Sequence, residues 1–266
     1  MPNSLAAITG ASAGIGSVFA RKLAARGYDL LLIARRGDRL EQLGAELERA
    51  HQIRVETCAA DLSVVEDMEG IAARLAAEPR LDLLVNNAGF GVKGRYWEAP
   101  LEDQLKMHRL HIGAILRLTR AALAAMVERG SGAIINVASV AGFTRSPGSV
   151  SYCATKAWLN AFTEGLYLDL KSAGSPVVVQ ALCPGFTYSE FHDVAGVDRA
   201  SIPKSFWLNA EDVVDASLAG LRRRQLFVVP GWRYKLVVAL VNRIPVRLRL
   251  ALELGAPHNR ARVSDR

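Results

Sequence analysis

Short runs of apolar, often β-branched residues recur along the chain. They alternate with longer stretches in which apolar positions return every three to four residues. The runs at 5–9, 28–34, 53–58, 81–86, 133–138, 177–182 and 226–229 predict strands. Most are apolar almost throughout, as strands buried on both faces are, where a half-exposed strand would alternate. The longer pattern predicts helices near 15–26, 38–51, 64–77, 101–129, 153–173 and 210–223. Ser63 followed by Glu66 fits a capping box, and Asn209 is placed to cap the helix opening Ala210-Glu211-Asp212. Strands and helices in this alternation predict an α/β fold, a doubly wound parallel sheet with helices on both faces. No repeat, low-complexity segment or linker divides the chain, which reads as one domain over 1–230 followed by an extension over 231–266.

Composition narrows the class. At 266 residues, half of them apolar, the chain suits a single domain with a full core. No unbroken apolar run approaches the roughly 18 residues of a membrane-spanning helix. A first strand starting at Leu5 leaves no room for a signal peptide. Cys58, Cys153 and Cys183 have neither metal-ligand nor disulfide spacing, so they read as reduced small hydrophobes of a cytoplasmic protein. The net charge of +7 is concentrated in the extension. From Gly231 onward, eight basic residues stand against Glu253 and Asp265, a balance of +6 that leaves the body near neutral. Positive charge confined to a largely aliphatic tail, with no recognition module, argues against nucleic-acid binding.

The first strand hands over to the first helix through Thr9-Gly10-Ala11-Ser12-Ala13-Gly14-Ile15-Gly16. Gly10 permits the tight turn, Gly14 lets backbone approach a pyrophosphate, and Gly16 allows close helix–strand packing. The phosphates would face the free N–H groups of the helix N-terminus. An acidic residue at the end of the second strand would bind an adenosine 2′-hydroxyl. This chain has Ala34-Arg35-Arg36, a guanidinium pair suited to a 2′-phosphate, so the reading is NADP(H) over NAD(H). Asp38, after Gly37, is expected to cap the next helix. Asp61-Leu62 closes the third strand, where Asp61 would meet the adenine edge or help cap the following helix. Asn86-Asn87-Ala88-Gly89 follows the fourth strand with small and amide residues that let backbone lie along a cofactor and tie strands together.

Tyr152 and Lys156, four residues apart on a helix, share a face. A nearby ammonium favours the phenolate and lowers a tyrosine pKa from roughly 10, giving a proton donor and acceptor usable near neutrality. Reduction of a carbonyl to an alcohol needs such a group, and a bound nicotinamide would deliver the hydride.

Thr-Gly-x3-Gly-Ile-Gly, Asp-Leu, Asn-Asn-Ala-Gly, Ser139, Tyr-x3-Lys and Pro184-Gly185 occur in this order and at matching intervals over about residues 4–230. In these motifs the chain resembles the classical short-chain dehydrogenase/reductase family. The resemblance implies a Rossmann-like sheet of seven strands ordered 3-2-1-4-5-6-7, with the site at the strand C-termini. It implies Tyr152 as general acid in reduction and general base in oxidation. Lys156 would lower the tyrosine's pKa and hold the nicotinamide ribose, and Ser139 would donate to the substrate carbonyl oxygen. Pro184-Gly185 would shape the wall beside the nicotinamide, where Thr187 or Ser189 would bond the carboxamide. The helix containing Tyr167 and Trp158, with the long helix before it, is implied to form the contact of a homodimer or homotetramer.

One departure concerns the proton relay. Members of the family usually carry an asparagine where this chain has Leu110-His111-Ile112. Either the imidazole substitutes in the relay and makes the rate pH-sensitive between about 5 and 8, or His111 fills the space and another group holds the water.

Phe186, Tyr188, Phe191, Phe206 and Trp207, with His192 and Lys204 among them, fall where the family places a substrate lid, near 186–208. The rings either line a cleft for an apolar substrate or anchor the lid. The extension has an apolar segment, Trp232–Val241. Pro245 interrupts it, and Val246–Leu254 then alternates at period two, which suits a strand, although its leucines suit a helix. It would pack over the cleft or a second subunit, rest on an anionic membrane surface such as the inner membrane face, or dock loosely. Residues from Ala256 are expected to be disordered. The leading reading is an NADP(H)-dependent carbonyl reductase or alcohol dehydrogenase for an apolar substrate, NAD(H) being the lesser cofactor. Its rivals are a non-catalytic NADP(H) sensor and a membrane-associated scaffold.

Overall fold

In a computed structural model, which describes residues 3–191 and 202–255, the apolar runs become the strands of one parallel sheet. They are β1 (Leu5–Thr9), β2 (Asp29–Ala34), β3 (Val55–Ala59), β4 (Leu81–Asn86), β5 (Ala133–Val137), β6 (Val178–Leu182) and β7 (Phe227–Val228), ordered β3-β2-β1-β4-β5-β6-β7. The order reverses direction at β1, and the crevice above that switch point is where such sheets bind ligands. Along β2, Leu30 and Leu32 enter one apolar cluster while Leu31 and Ile33 enter the other. The period-two alternation of side chains therefore feeds two cores, which is why the strand carries no polar face.

Helices α1 (Gly14–Ala24), α2 (Gly37–His51) and, from near the end of the chain, α7 (Ala210–Arg222) cover the first core. The second lies under α3 (Val65–Ala76), α5 (Ile115–Arg129) and part of α6 (Val150–Ser172). Before α5 the chain runs through α4 (Leu101–His108) and a π-helical stretch, Arg109–Ala114. The continuous helix 101–129 is long and apolar enough, by length and composition, to cross a membrane, although polar residues interrupt its apolar runs. Ala114, Leu118, Ala122 and Met126 are buried in the second core, so here it is a core helix.

Several start signals read differently in place. Helix α3 begins at Val65 with Val64 as its N-cap and no side-chain cap, so Ser63 and Glu66 form no capping box. The Ser63 hydroxyl instead donates to Asp61 Oδ1 at 2.6 Å. Asn209 is the N-cap of α7, yet its side chain makes no cap bond. Asp38 lies inside the first turn of α2, past the N-cap Arg36, and so favours the helix dipole without capping it. The extension is helical in both parts: α8 (Trp232–Val241) and α9 (Val246–Gly255). The alternation in α9 reflects composition, not a strand. Its residues beyond 255, expected to be disordered, lie outside the described residues.

Candidate functional site

A cavity of about 870 Å3 opens at the C-terminal ends of the strands. Of the cofactor and catalytic candidates, Gly10, Ser12, Gly14, Ile15, Arg35, Arg36, Asp61, Leu62, Asn87, Ala88, Gly89, Ser139, Tyr152, Lys156, Pro184, Gly185, Thr187 and Ser189 line it, whereas Gly16 and His111 do not. Gly16 supports from behind, because a Cβ there would run into the carbonyl of Gly10. Gly10 has a φ of +66°, and a Cβ on it would stand 2.8 Å from Asn87 Nδ2. That amide donates to the carbonyls of Thr9 (2.9 Å) and Gly10 (3.2 Å), while Thr9 Oγ1 accepts from the N–H groups of Asn87 and Ala88, both at 2.9 Å. The ends of β1 and β4 are thus cross-tied directly under the glycine turn. One strand over, Asn86 donates to Asn136 Oδ1 at 2.9 Å, and Asn136 donates to Thr163 Oγ1 at 2.9 Å, linking β4, β5 and α6 through the core.

Arg35 and Arg36 leave β2 at the rim. Arg35 is exposed, and Arg36 donates to Ser12 Oγ from Nε (3.2 Å) and Nη2 (3.1 Å). Two partners were not foreseen. Glu190, from the segment after β6, accepts from Arg36 Nη1 and from Arg39 Nη1, each at 2.7 Å, and these bonds hold its carboxyl below the usual range. No sequence motif pairs residues 36 and 190. Asp61 keeps a place on the wall while accepting from Ser63 and pairing with Lys106 Nζ at 3.1 Å. Burial works against its charge, but these bonds outweigh burial and lower its pKa.

A second cluster, Ser139, Tyr152 and Lys156, sits deeper. Helix α6 begins at Val150, three residues earlier than its pattern predicts, so Tyr152 and Lys156 lie on one helical turn. Lys156 is buried and donates to the carbonyl of Val137 at 2.8 Å. Burial lowers its ammonium pKa to about 8. Its Nζ stands 5.9 Å from the centre of the Tyr152 ring. Ser139 caps a short 3-10 turn, Val140–Gly142, by accepting from Ala141 N at 3.1 Å, which holds its hydroxyl at the end of β5.

His111 lies behind this cluster in the π-helical stretch, its ring edge-on to Tyr152 with centroids 6.0 Å apart. Nε2 accepts from the N–H of Phe90 at 3.2 Å, and Nδ1 meets Thr155 Oγ1 at 2.9 Å. The Thr155 hydroxyl donates to the carbonyl of Tyr152, so it accepts from Nδ1–H, and this fixes the tautomer. Burial, then the charge of Lys156, holds the imidazole well below its ordinary pKa. A ring with both nitrogens engaged matches the second of the two expectations for His111, in which it fills the space, better than a relay that titrates between pH 5 and 8. Thr155 was missed because its partner comes from another helix.

The lid aromatics divide between both expected uses. Phe186, Phe191 and Phe206 line the cavity, whereas Tyr188 and Trp207 stack on each other at 4.9 Å away from it. His192 lies outside the described residues. The extension closes the far wall. Tyr234 of α8 lies against Gly185, where a Cβ would collide with its ring. Its hydroxyl donates to the carbonyl of Phe206 at 2.6 Å and accepts from Phe186 N at 3.0 Å, tying both segments to α8. Val237, Leu240, Val241 and Ile244 line the cavity beside it, with Arg249, Leu252 and Glu253 from α9. Among the described residues no group of histidine, cysteine or acidic side chains could hold a metal.

Comparison with known proteins agrees with this geometry. The model of the short chain dehydrogenase family matches residues 4–199. A very-long-chain 3-oxoacyl-CoA reductase of Anas platyrhynchos is 31% identical over 195 residues, 71% of this chain and 62% of that protein's own length. A sulfoacetaldehyde reductase of Chromohalobacter salexigens is 36% identical over 216 residues, 78% of this chain and 84% of that protein. A short-chain dehydrogenase of Sphingobium yanoikuyae, solved in complex with NADPH, superposes with a TM-score of 0.82 at 34% identity, covering 92% of this chain and 97% of the other. With the seven-stranded sheet and the site above its switch point in place, the chain belongs to the short-chain dehydrogenase family, NAD(P)-dependent oxidoreductases acting on CH–OH groups.

Proposed function

We propose that this protein is an NADP(H)-dependent oxidoreductase that interconverts a carbonyl and a secondary alcohol on an apolar substrate, with Tyr152 as general acid and base. The observation that carries the reading is convergence. The glycine turn, the Arg35–Arg36 pair and the Ser139, Tyr152 and Lys156 side chains all border one cavity. The residues fit the cofactor: α1 has no side-chain cap, leaving its N-terminus to an anion, and Ser12, Ala13, Gly14 and Ile15 at that N-terminus line the cavity. Bound NADPH would supply a hydride to the substrate carbonyl carbon. Ser139 would orient the carbonyl oxygen and Tyr152 would give it a proton. Lys156 would stabilise the phenolate left behind, and its buried position makes that charge count. Arg35 and Arg36 would take the 2′-phosphate, and Thr187 or Ser189 the carboxamide.

His111 enters this reading as a positioning residue. It fastens the Phe90 loop beside the cavity to α6 at Thr155, whose hydroxyl in turn donates to the Tyr152 carbonyl. The apolar choice of substrate rests on Phe186, Phe191, Phe206 and the aliphatic wall from α8, since the relatives named above act on unlike molecules. A homodimer or homotetramer formed through α5 and α6 is part of the proposal. Tyr152→Phe is expected to lower NADPH-dependent ketone reduction by about 10³-fold or more, the scale of a lost general acid, while NADPH still binds with unchanged affinity. Full activity in that variant would end the proposed mechanism. Turnover should also rise with apolar size across a ketone series, and NADH should be the poorer donor.

A further inference from the structure

Helix α8 is mostly apolar. Tyr234 and Val238 are buried against the body, while Trp232 (67% exposed), Leu236 (62%) and Leu240 (55%) face outward. Apart from Arg233 and Lys235 its side chains are apolar, and such side chains ordinarily have cover, yet among the described residues these three stay more than half exposed. Helix α9 extends the same character with Leu248, Leu250, Leu252 and Leu254 exposed. Arg233, Lys235, Arg243 and Arg247 are exposed among them, and Glu253 is the one carboxylate between residues 231 and 255. Two of the leucines serve both sides at once. Leu240 and Leu252 are each half exposed, and each lines the cavity that holds Tyr152. The cavity therefore reaches the apolar, basic surface at these two leucines.

We propose that α8 and α9 dock on an anionic lipid surface, and that the mouth between Leu240 and Leu252 takes apolar substrate directly from the bilayer. Charge selects the occupant. A second copy of the chain would set the same cations against one another across an apolar contact. An anionic bilayer receives the leucines at the acyl boundary and the arginines at its phosphates, each cation near the surface adding roughly fivefold in affinity. Trp232 beside Arg233, its guanidinium 4.7 Å from the ring centre, has the amphipathic character of a residue at the headgroup level. The portal rests on the reductase reading of the site; the docking does not.

The test uses the full chain and vesicles of phosphatidylcholine with or without phosphatidylglycerol. Flotation is expected with the anionic vesicles, weakening as salt rises, and not with phosphatidylcholine alone. The variant Leu236→Glu/Leu248→Glu/Leu254→Glu is expected to lose vesicle affinity by roughly tenfold or more, as is Arg243→Glu/Arg247→Glu. Both should keep wild-type reduction of a small water-soluble ketone. A long-chain ketone embedded in anionic vesicles should be reduced about tenfold faster by the wild type than by the triple variant. Equal rates on the embedded ketone would overturn the portal. Failure to bind anionic vesicles at low salt would overturn the docking, as would a self-associating wild type that the triple variant dissociates. Vesicle binding without turnover of any ketone would support docking and count against the reductase reading alone.

Discussion

Lys156 is a buried amine whose nearest fixed partner is a backbone carbonyl. Burial costs the charged form, so the ammonium survives only below about pH 8. In the proposed mechanism that charge supports Tyr152, and reduction also consumes a proton, so both effects act in one direction. kcat/KM for reduction is expected to be level through the neutral range and to fall above about pH 8. His111 adds no break near 6.5, because its folded pKa lies well below that value. In the unfolded chain it titrates normally, so the unfolded state takes up a proton first. Its contribution to stability is complete above about pH 6.5 and is lost as the pH falls below it. A pH–rate profile beside a thermal-melt series checks both, and a rate break near 6.5 that disappears in His111→Asn would contradict the locked tautomer. At this scale the meeting of Ser139, Tyr152 and Lys156 at one cavity was legible, because the motifs that carry them resemble those of the family. The state of His111 was not, since it depends on Phe90 and Thr155, which only folding brings to its two nitrogens.

The strands were legible almost to the residue because a parallel strand buried on both faces has an apolar signature independent of its neighbours. Helix starts were less so. Val64, not Ser63, is the N-cap of α3, and the Ser63 hydroxyl donates to Asp61 instead, while α6 starts three residues before its predicted bound. The clasp between the segment after β6 and the β2–α2 turn was invisible, since 154 residues separate Arg36 from Glu190. That clasp bears on cofactor choice. Glu190 places a carboxylate on Arg36 and Arg39, beside Arg35, where a 2′-phosphate would bind. Both pairs are solvent-exposed, so their strength is modest. Glu190→Gln is expected to tighten NADPH binding by roughly two- to fivefold and to leave NADH affinity unchanged, as read by fluorescence titration. Loss of affinity for both nucleotides would show instead that Glu190 serves only to hold the lid down.

The molecule as a whole separates its surfaces by chemistry. The near-neutral body carries the catalytic cleft, the basic extension walls that cleft and presents exposed leucines, and a third apolar exposure belongs to neither. Leu116 and Val127 on α5 and Leu168 on α6 are solvent-exposed in the single chain, although both helices bury their other faces in the second core. An assembly through these helices would cover them, and in a two-fold contact each substitution acts on both protomers. Leu168→Asp would then forfeit the burial of two leucines, about 3–6 kcal/mol in all, and place two carboxylates in an apolar contact. Sedimentation velocity is expected to show a dimer or tetramer for the wild type and a monomer for the variant. The Leu236→Glu/Leu248→Glu/Leu254→Glu variant should keep the wild-type mass. Because α8 and α9 close the cavity from within the same chain, the Leu168→Asp monomer should retain NADPH-dependent turnover per site. A wild type that sediments as a monomer would remove the assembly from the proposal, and an inactive but folded monomer would mean that the cleft depends on its neighbour.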